Sequence, residues 1–178
     1  MVHGPPFHQA QFYRTLADKF GRPFTIRSCK KHHLDFRALS EMYTAFQPKE
    51  CAQGLPCAAD DKRATWLQGL LAEKLNLLAL VRETVVGHAV LLEMQPGKTC
   101  EYLVFVHQDH QNRGIGTALS QTCKDLAHHM GYEMLWLTVE LTNCRAIHVY
   151  EKVGFRMMRP IHMECEMIMN LTCSHETS

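Results

Sequence analysis

From residue 24 onward the chain alternates between stretches with a strand-like apolar period and stretches with a helical one. Residues 24–28 read as a strand. Leu34, Ala38, Leu39 and Met42 fall on one stripe and predict a helix over 34–46. Segment 47–59, with Pro48, Gly54 and Pro56, reads as a long loop, either functional or a plain connection. Asp60 or Asp61 then caps a helix carrying Leu67, Leu70, Leu71 and Leu75. Apolar runs at 77–81 and 85–94 predict two strands around a tight turn at Arg82-Glu83-Thr84. Gln95-Pro96-Gly97-Lys98 is a second turn, and 99–107 a third strand.

The strongest helical stripe follows: Ile115, Ala118, Leu119, Cys123, Leu126, Ala127 and Met130, closed by Gly131. Residues 132–140 form a strand. Asn143 caps a helix that turns Ala146, Ile147, Tyr150 and Val153 inward and ends at Gly154. Final strands occupy 155–158 and 162–169, the second with Met163, Cys165, Met167 and Met169 alternating with His162, Glu164, Glu166 and Ile168. Near the start, Phe12, Leu16 and Phe20 recur every four residues ahead of Gly21 and predict a short helix over 9–20. The order of elements gives an α/β or α+β fold around a mixed sheet.

At 178 residues the chain amounts to one domain, expected as an N-terminal extension over 1–22, a domain over 23–170 and a tail over 171–178. Hydrophobic residues make up 46% and charged residues 21%, which supports a full core and excludes a disordered chain. Lys and Arg number 19 against 18 Asp and Glu, so the basic excess of a nucleic-acid binder is missing, while one small phosphate site is compatible. No apolar run approaches the ~18 residues of a membrane span. No secretory signal is readable over 1–10. The eight cysteines contain no Cys-x-x-Cys and read as reduced thiols, so the expected location is the cytoplasm.

The richest chemistry lies in Gln111-Asn112-Arg113-Gly114-Ile115-Gly116-Thr117, between a strand and the best helix. A glycine-rich turn at a helix start leaves backbone N–H groups pointing outward, and the helix dipole adds positive potential. Such a turn can hold a pyrophosphate, with Gln111 and Arg113 as further donors. No Gly-Lys-Ser/Thr closes it, so it is not a P-loop. Leu119 stands where a dinucleotide fingerprint needs glycine.

Gln111-x-x-Gly114-x-Gly116 resembles the acetyl-CoA pyrophosphate signature of the GNAT-type N-acetyltransferase superfamily. A second segment, Asn143-x-x-Ala146-x-x-x-Tyr150-Glu151-Lys152-Val153-Gly154-Phe155, resembles that superfamily's downstream helix and following strand. Gln108 departs from the pattern, where the family often has proline. The resemblance implies a GNAT-like single domain: a mixed sheet whose middle strands, 99–107 and 132–140, splay apart, flanked by helices. It implies acetyl-CoA as cosubstrate, its pantetheine arm lying in the gap against backbone of Val104, Phe105 and Val106. The phosphates would sit on Gln111, Asn112, Arg113, Gly114, Ile115, Gly116 and Thr117, and Asn143 would be a second contact.

It further implies acetyl transfer to a primary amine of a small molecule or peptide, by direct attack in a ternary complex. Tyr150 is placed like the family's general acid and cofactor contact. Glu101 is the first candidate for the base, Glu140 the second and His107 the third. The Val106 N–H is the expected oxyanion donor. The acceptor is unspecified, although Glu50, Arg63 and Trp66 fall in the region expected to frame it. A non-catalytic acyl-CoA-binding sensor of the same fold is the alternative. His128 and His129 read as solvated, with no metal site patterned. No nucleic-acid or membrane partner is expected, and the final strand and the N-terminal extension leave a homodimer open.

Overall fold

The computed structural model describes residues 12–30, 32–47, 59–73, 75–158 and 164–171. One sheet is built from β1 (Tyr13–Ala17), β2 (Pro23–Ser28), β3 (Leu75–Val81), β4 (Thr84–Gln95), β5 (Thr99–Val106), β6 (Met134–Glu140), β7 (Arg156–Met157) and β8 (Glu164–Asn170), in spatial order β1-β2-β3-β4-β5-β6-β8-β7. Four helices flank it: α1 (His33–Ala45), α2 (Asp60–Ala72), α3 (Ile115–His129) and α4 (Cys144–Val153). Neighbouring strands pair antiparallel, except that β5 and β6 are parallel.

Each face of the sheet carries its own core. Leu119, Cys123 and Ala127 of α3, with Tyr150 and Val153 of α4, pack on Leu77, Ala79, Ala89 and Leu135. On the other face Leu39 and Tyr43 of α1 and Leu67 and Leu70 of α2 pack on Leu78, Leu80, Val90 and Phe105. Because β3 and β4 are covered on both faces, they read as continuous apolar runs rather than alternating ones. Gly87 is where α3 comes closest. A Cβ there would lie 3.0 Å from Leu119 Cδ1 and 3.2 Å from the Phe105 carbonyl oxygen, so a side chain would push helix and strand apart.

Two sequence expectations are corrected. The helix over 9–20 is replaced, in its described part, by β1, which pairs with β2 from Tyr13↔Arg27 to Ala17↔Pro23. Phe12 and Leu16 do share a face, but a spacing of four is also two strand periods, and both lean on the α3-side core. The second correction concerns α2. Its N-cap is Ala59, with no side-chain cap. Asp60 and Asp61 sit in the first turn, where negative charge suits the helix dipole, and Leu75 begins β3. The loop over 47–59 lies almost wholly outside the described residues.

β5 and β6 are joined only at Thr99↔Met134, Cys100↔Leu135 and Glu101↔Trp136. Beyond these pairs β5 continues on β4 and β6 continues on β8, and the two middle strands part.

Candidate functional site

The edge of β5 that faces this gap carries free backbone groups. The His107 N–H donates to the Val86 carbonyl at 2.9 Å, so by antiparallel alternation Phe105 and Leu103 turn their amides to β4. Val104 and Val106 therefore turn theirs toward the gap. The Val106 carbonyl accepts from Gln111 Nε2 at 2.9 Å. The Phe105 side chain is buried on the far face against Tyr43 and Trp66.

At the mouth of the gap a short 3-10 turn, Gln108–His110, leads into the glycine turn. Gly114 has φ of 86°, a left-handed conformation that glycine adopts without strain, and it caps α3 with no side-chain donor or acceptor. Among the described residues, the backbone amides of residues 112 through 117 donate to no acceptor, the first protein-bonded amide being that of Ala118. A Cβ on Gly114 would meet nothing within 4 Å, so the surface above the turn is open. Ile115 is buried in the core, leaving only its N–H available to a ligand. These orphan donors and the dipole of a fifteen-residue helix suit a bound phosphate.

Three side chains, those of Arg113, Gln111 and Gln108, tie this stretch to the rest of the fold. Arg113, an expected phosphate donor, directs Nε to Asp18 Oδ2 at 2.7 Å, while its Nη1 donates to His110 Nδ1 at 2.9 Å. Gln111 Oε1 accepts from Arg145 in the first turn of α4. Gln108 reaches the end of α1, with Nε2 donating to the Ala45 carbonyl at 2.9 Å and Oε1 accepting from the Gln47 N–H at 3.0 Å. Arg145 could have been found from its place two residues after Asn143 on a helix pointing at the turn. Asp18 could not, since no local pattern links it to Arg113.

Asn143 caps α4 by accepting from the Ala146 N–H at 3.2 Å. Tyr150 is buried on the inner face of that helix, edge-on to Tyr102 at 6.3 Å and to Phe155 at 5.7 Å. Its hydroxyl has no partner among the described residues, and burial pushes its pKa up to about 12. Glu101 stands at the last joined pair of β5 and β6, its side chain on the α1/α2 face by alternation with buried Cys100 and Tyr102. Burial raises its pKa as well. The two candidates thus approach the vertex of the gap from opposite faces.

The remaining candidates divide. Glu140 ends β6 exposed, on the same face as Glu101. His107 accepts from the Asp109 N–H at 3.4 Å beside His110. Arg63 is buried between Asp60 and Thr44, a structural role, and Trp66 stands edge-on to Tyr43 at 5.0 Å. Glu50 lies outside the described residues.

A model of the acetyltransferase (GNAT) family matches residues 37–155. An L-amino acid N-acyltransferase, MnaT, of Escherichia coli is 33% identical over 100 residues, covering 53% of this chain and 58% of MnaT. The chain therefore aligns with little more than half of that relative's length. The GNAT domain of a Streptomyces lividans protein, PAT, superposes with a TM-score of 0.76 at 16% identity, covering 94% of this chain and 99% of that one. Salmonella typhimurium yncA, solved with its cofactor acetyl-CoA, superposes with a TM-score of 0.68 at 22% identity, covering 84% and 94%. At such identities the structural likeness speaks for the fold.

Proposed function

Because the chain belongs to the GNAT acetyltransferase family, we propose that it moves an acetyl group from acetyl-CoA to a primary amine by direct attack in the gap between β5 and β6. The observation that carries this reading is the row of unpartnered amides from 112 to 117 at the mouth of a gap lined by β5 backbone. The thioester supplies an activated acetyl group. All other steps fall to residues of this chain.

The turn amides neutralise phosphate oxygens, and the Val104 and Val106 backbone groups hold an extended arm as an added strand. The Val106 N–H is a donor for the acyl oxygen as negative charge builds there. A free amine with pKa ~10.4 is protonated at neutral pH, so it must lose a proton before attacking. Glu101, raised by burial, takes that proton, directly or through a water. Tyr150 gives its phenolic proton to the departing sulfur. A thiol in water has pKa ~8.5, well below that of Tyr150, so the transfer is favourable only where the sulfur is desolvated too. The aromatic surroundings of Tyr150 provide that desolvation. An unpartnered acid at this place favours a catalyst over a silent acyl-CoA sensor.

The test is release of CoA thiol from acetyl-CoA with a panel of polyamines, amino acids, aminoglycosides and lysine peptides, with products identified by mass. Turnover with one class assigns the acceptor. Absence of acetyl-CoA binding by calorimetry would overturn the reading.

A further inference from the structure

Gln108 is outside the gap, in the 3-10 turn that leads into the glycine turn, yet its side chain bonds the end of α1. Ala45 is the last residue of α1, and its carbonyl is one of those a helix leaves without an internal partner. The local chain does not supply the usual glycine cap: Phe46 follows with φ −67° and ψ 138°. The missing donor comes instead from Gln108 Nε2, and the same amide accepts from the Gln47 N–H. A carbonyl can only accept and an N–H can only donate, so the orientation of the Gln108 amide is fixed by its partners. It bonds α1 as a second peptide group would.

The consequences run in two directions. Three residues after Gln108, Gln111 begins the turn whose amides lack acceptors. In the other direction, Tyr43 and Phe46 in the last turn of α1 pack edge-on against Phe105 at 5.5 and 6.0 Å. Phe105 and Glu101 share the face of β5 that lies toward α1 and α2. We propose that Gln108 is a positioning residue that ties the cofactor turn to the end of α1, so that filling the turn orders the acceptor side of the sheet. The proposal rests on the acetyl-CoA reading and deepens it: the two substrate sides are coupled through one side-chain amide. By reciprocity, whatever steadies the end of α1 tightens cofactor binding by the same factor.

Amide hydrogen exchange on the full chain, with and without saturating CoA, tests this independently of the acceptor. In the wild type, CoA should slow exchange of the Gln47 amide by about three- to tenfold, the range one hydrogen bond supports. Gln108→Ala should leave Gln47 fast and unresponsive to CoA, while the calorimetric affinity for CoA changes by no more than about that coupling factor. Gln108→Glu, which can still accept from Gln47 but cannot donate to Ala45, should keep part of the response. A wild-type Gln47 amide indifferent to bound CoA, or a Gln108→Ala chain that responds as the wild type does, would overturn the proposal. A wild type that binds no CoA would instead overturn the acetyl-CoA reading.

Discussion

Asp18 and Arg113 stand 95 positions apart in the chain, and their carboxylate and guanidinium meet at 2.7 Å. Asp18 also accepts the Phe20 and Arg22 N–H groups, both at 2.9 Å, while the Lys19 N–H donates to the Arg113 carbonyl. Desolvation works to raise the Asp18 pKa, but these donors and the guanidinium outweigh it and hold the carboxyl below its usual value. The β1–β2 turn is thereby a brace on the outer side of the glycine turn.

Asp18→Asn keeps the shape and removes the charge. It should lower the melting temperature and weaken CoA binding by up to about tenfold, the effect of loosening one charge-assisted contact on a ligand-bearing turn. Calorimetry and thermal melting check both. Unchanged CoA affinity with a lowered melting point would confine the brace to stability.

Tyr150→Phe removes only the hydroxyl from a packed ring. Turnover should fall about 10²–10³-fold with KM for acetyl-CoA nearly constant, as expected for loss of a general acid. Since the wild-type phenol titrates at about 12, it stays protonated across the assay range and should add no alkaline limb below about pH 10. Steady-state thiol release across pH reads both effects.

Glu101→Gln separates catalysis from stability. A base acts only when deprotonated, so wild-type kcat/KM should fall as pH drops through a pKa above the usual carboxylate range. That acid limb should vanish in the variant, with activity reduced about 10²-fold. A carboxyl whose folded pKa is raised destabilises the fold as pH rises through it, so the variant should melt higher at neutral pH. A pH–rate profile and a melting curve give the two outcomes.

His88 is buried against Tyr43 and Asn76. Asn76 Nδ2 donates to the Leu70 and Glu73 carbonyls, which turns its Oδ1 to accept from His88 Nε2 at 2.8 Å. The Tyr43 hydroxyl donates to Nδ1 at 2.7 Å. Burial pushes the pKa of this neutral ring down to about 3. The unfolded chain takes up a proton near 6.5, so this contribution to stability is complete above that pH and erodes as pH falls from about 6.5 toward 3. His88→Phe should cost about 2–4 kcal/mol by stranding two polar partners, and should flatten the pH dependence. Urea midpoints from pH 7.5 down to 4 test it.

The sequence made the fold legible wherever burial follows a period. The stripe from Ile115 to Met130 became α3, and the Met-Cys alternation became β8. The glycine turn was legible because Gly114 and Gly116 flank a helix start. What escaped was of two kinds. Phe12 and Leu16 satisfied both a helical and a strand spacing, and only pairing with β2 decides between them. Asp18 and Gln108 act through partners on other elements, and no local spacing encodes that.

The middle of the sheet joins its two leaves by three residue pairs, and against its α3–α4 face three rings pack together. Tyr102 of β5 stacks on Phe155 at 6.0 Å, with Tyr150 against both. A hydrogen-bonded ladder fixes strand spacing near ~4.8 Å whatever the side chains. The ring cluster instead takes its dimensions from three side chains. The surroundings of Tyr150 are therefore written in side chains, and so are open to redesign one residue at a time.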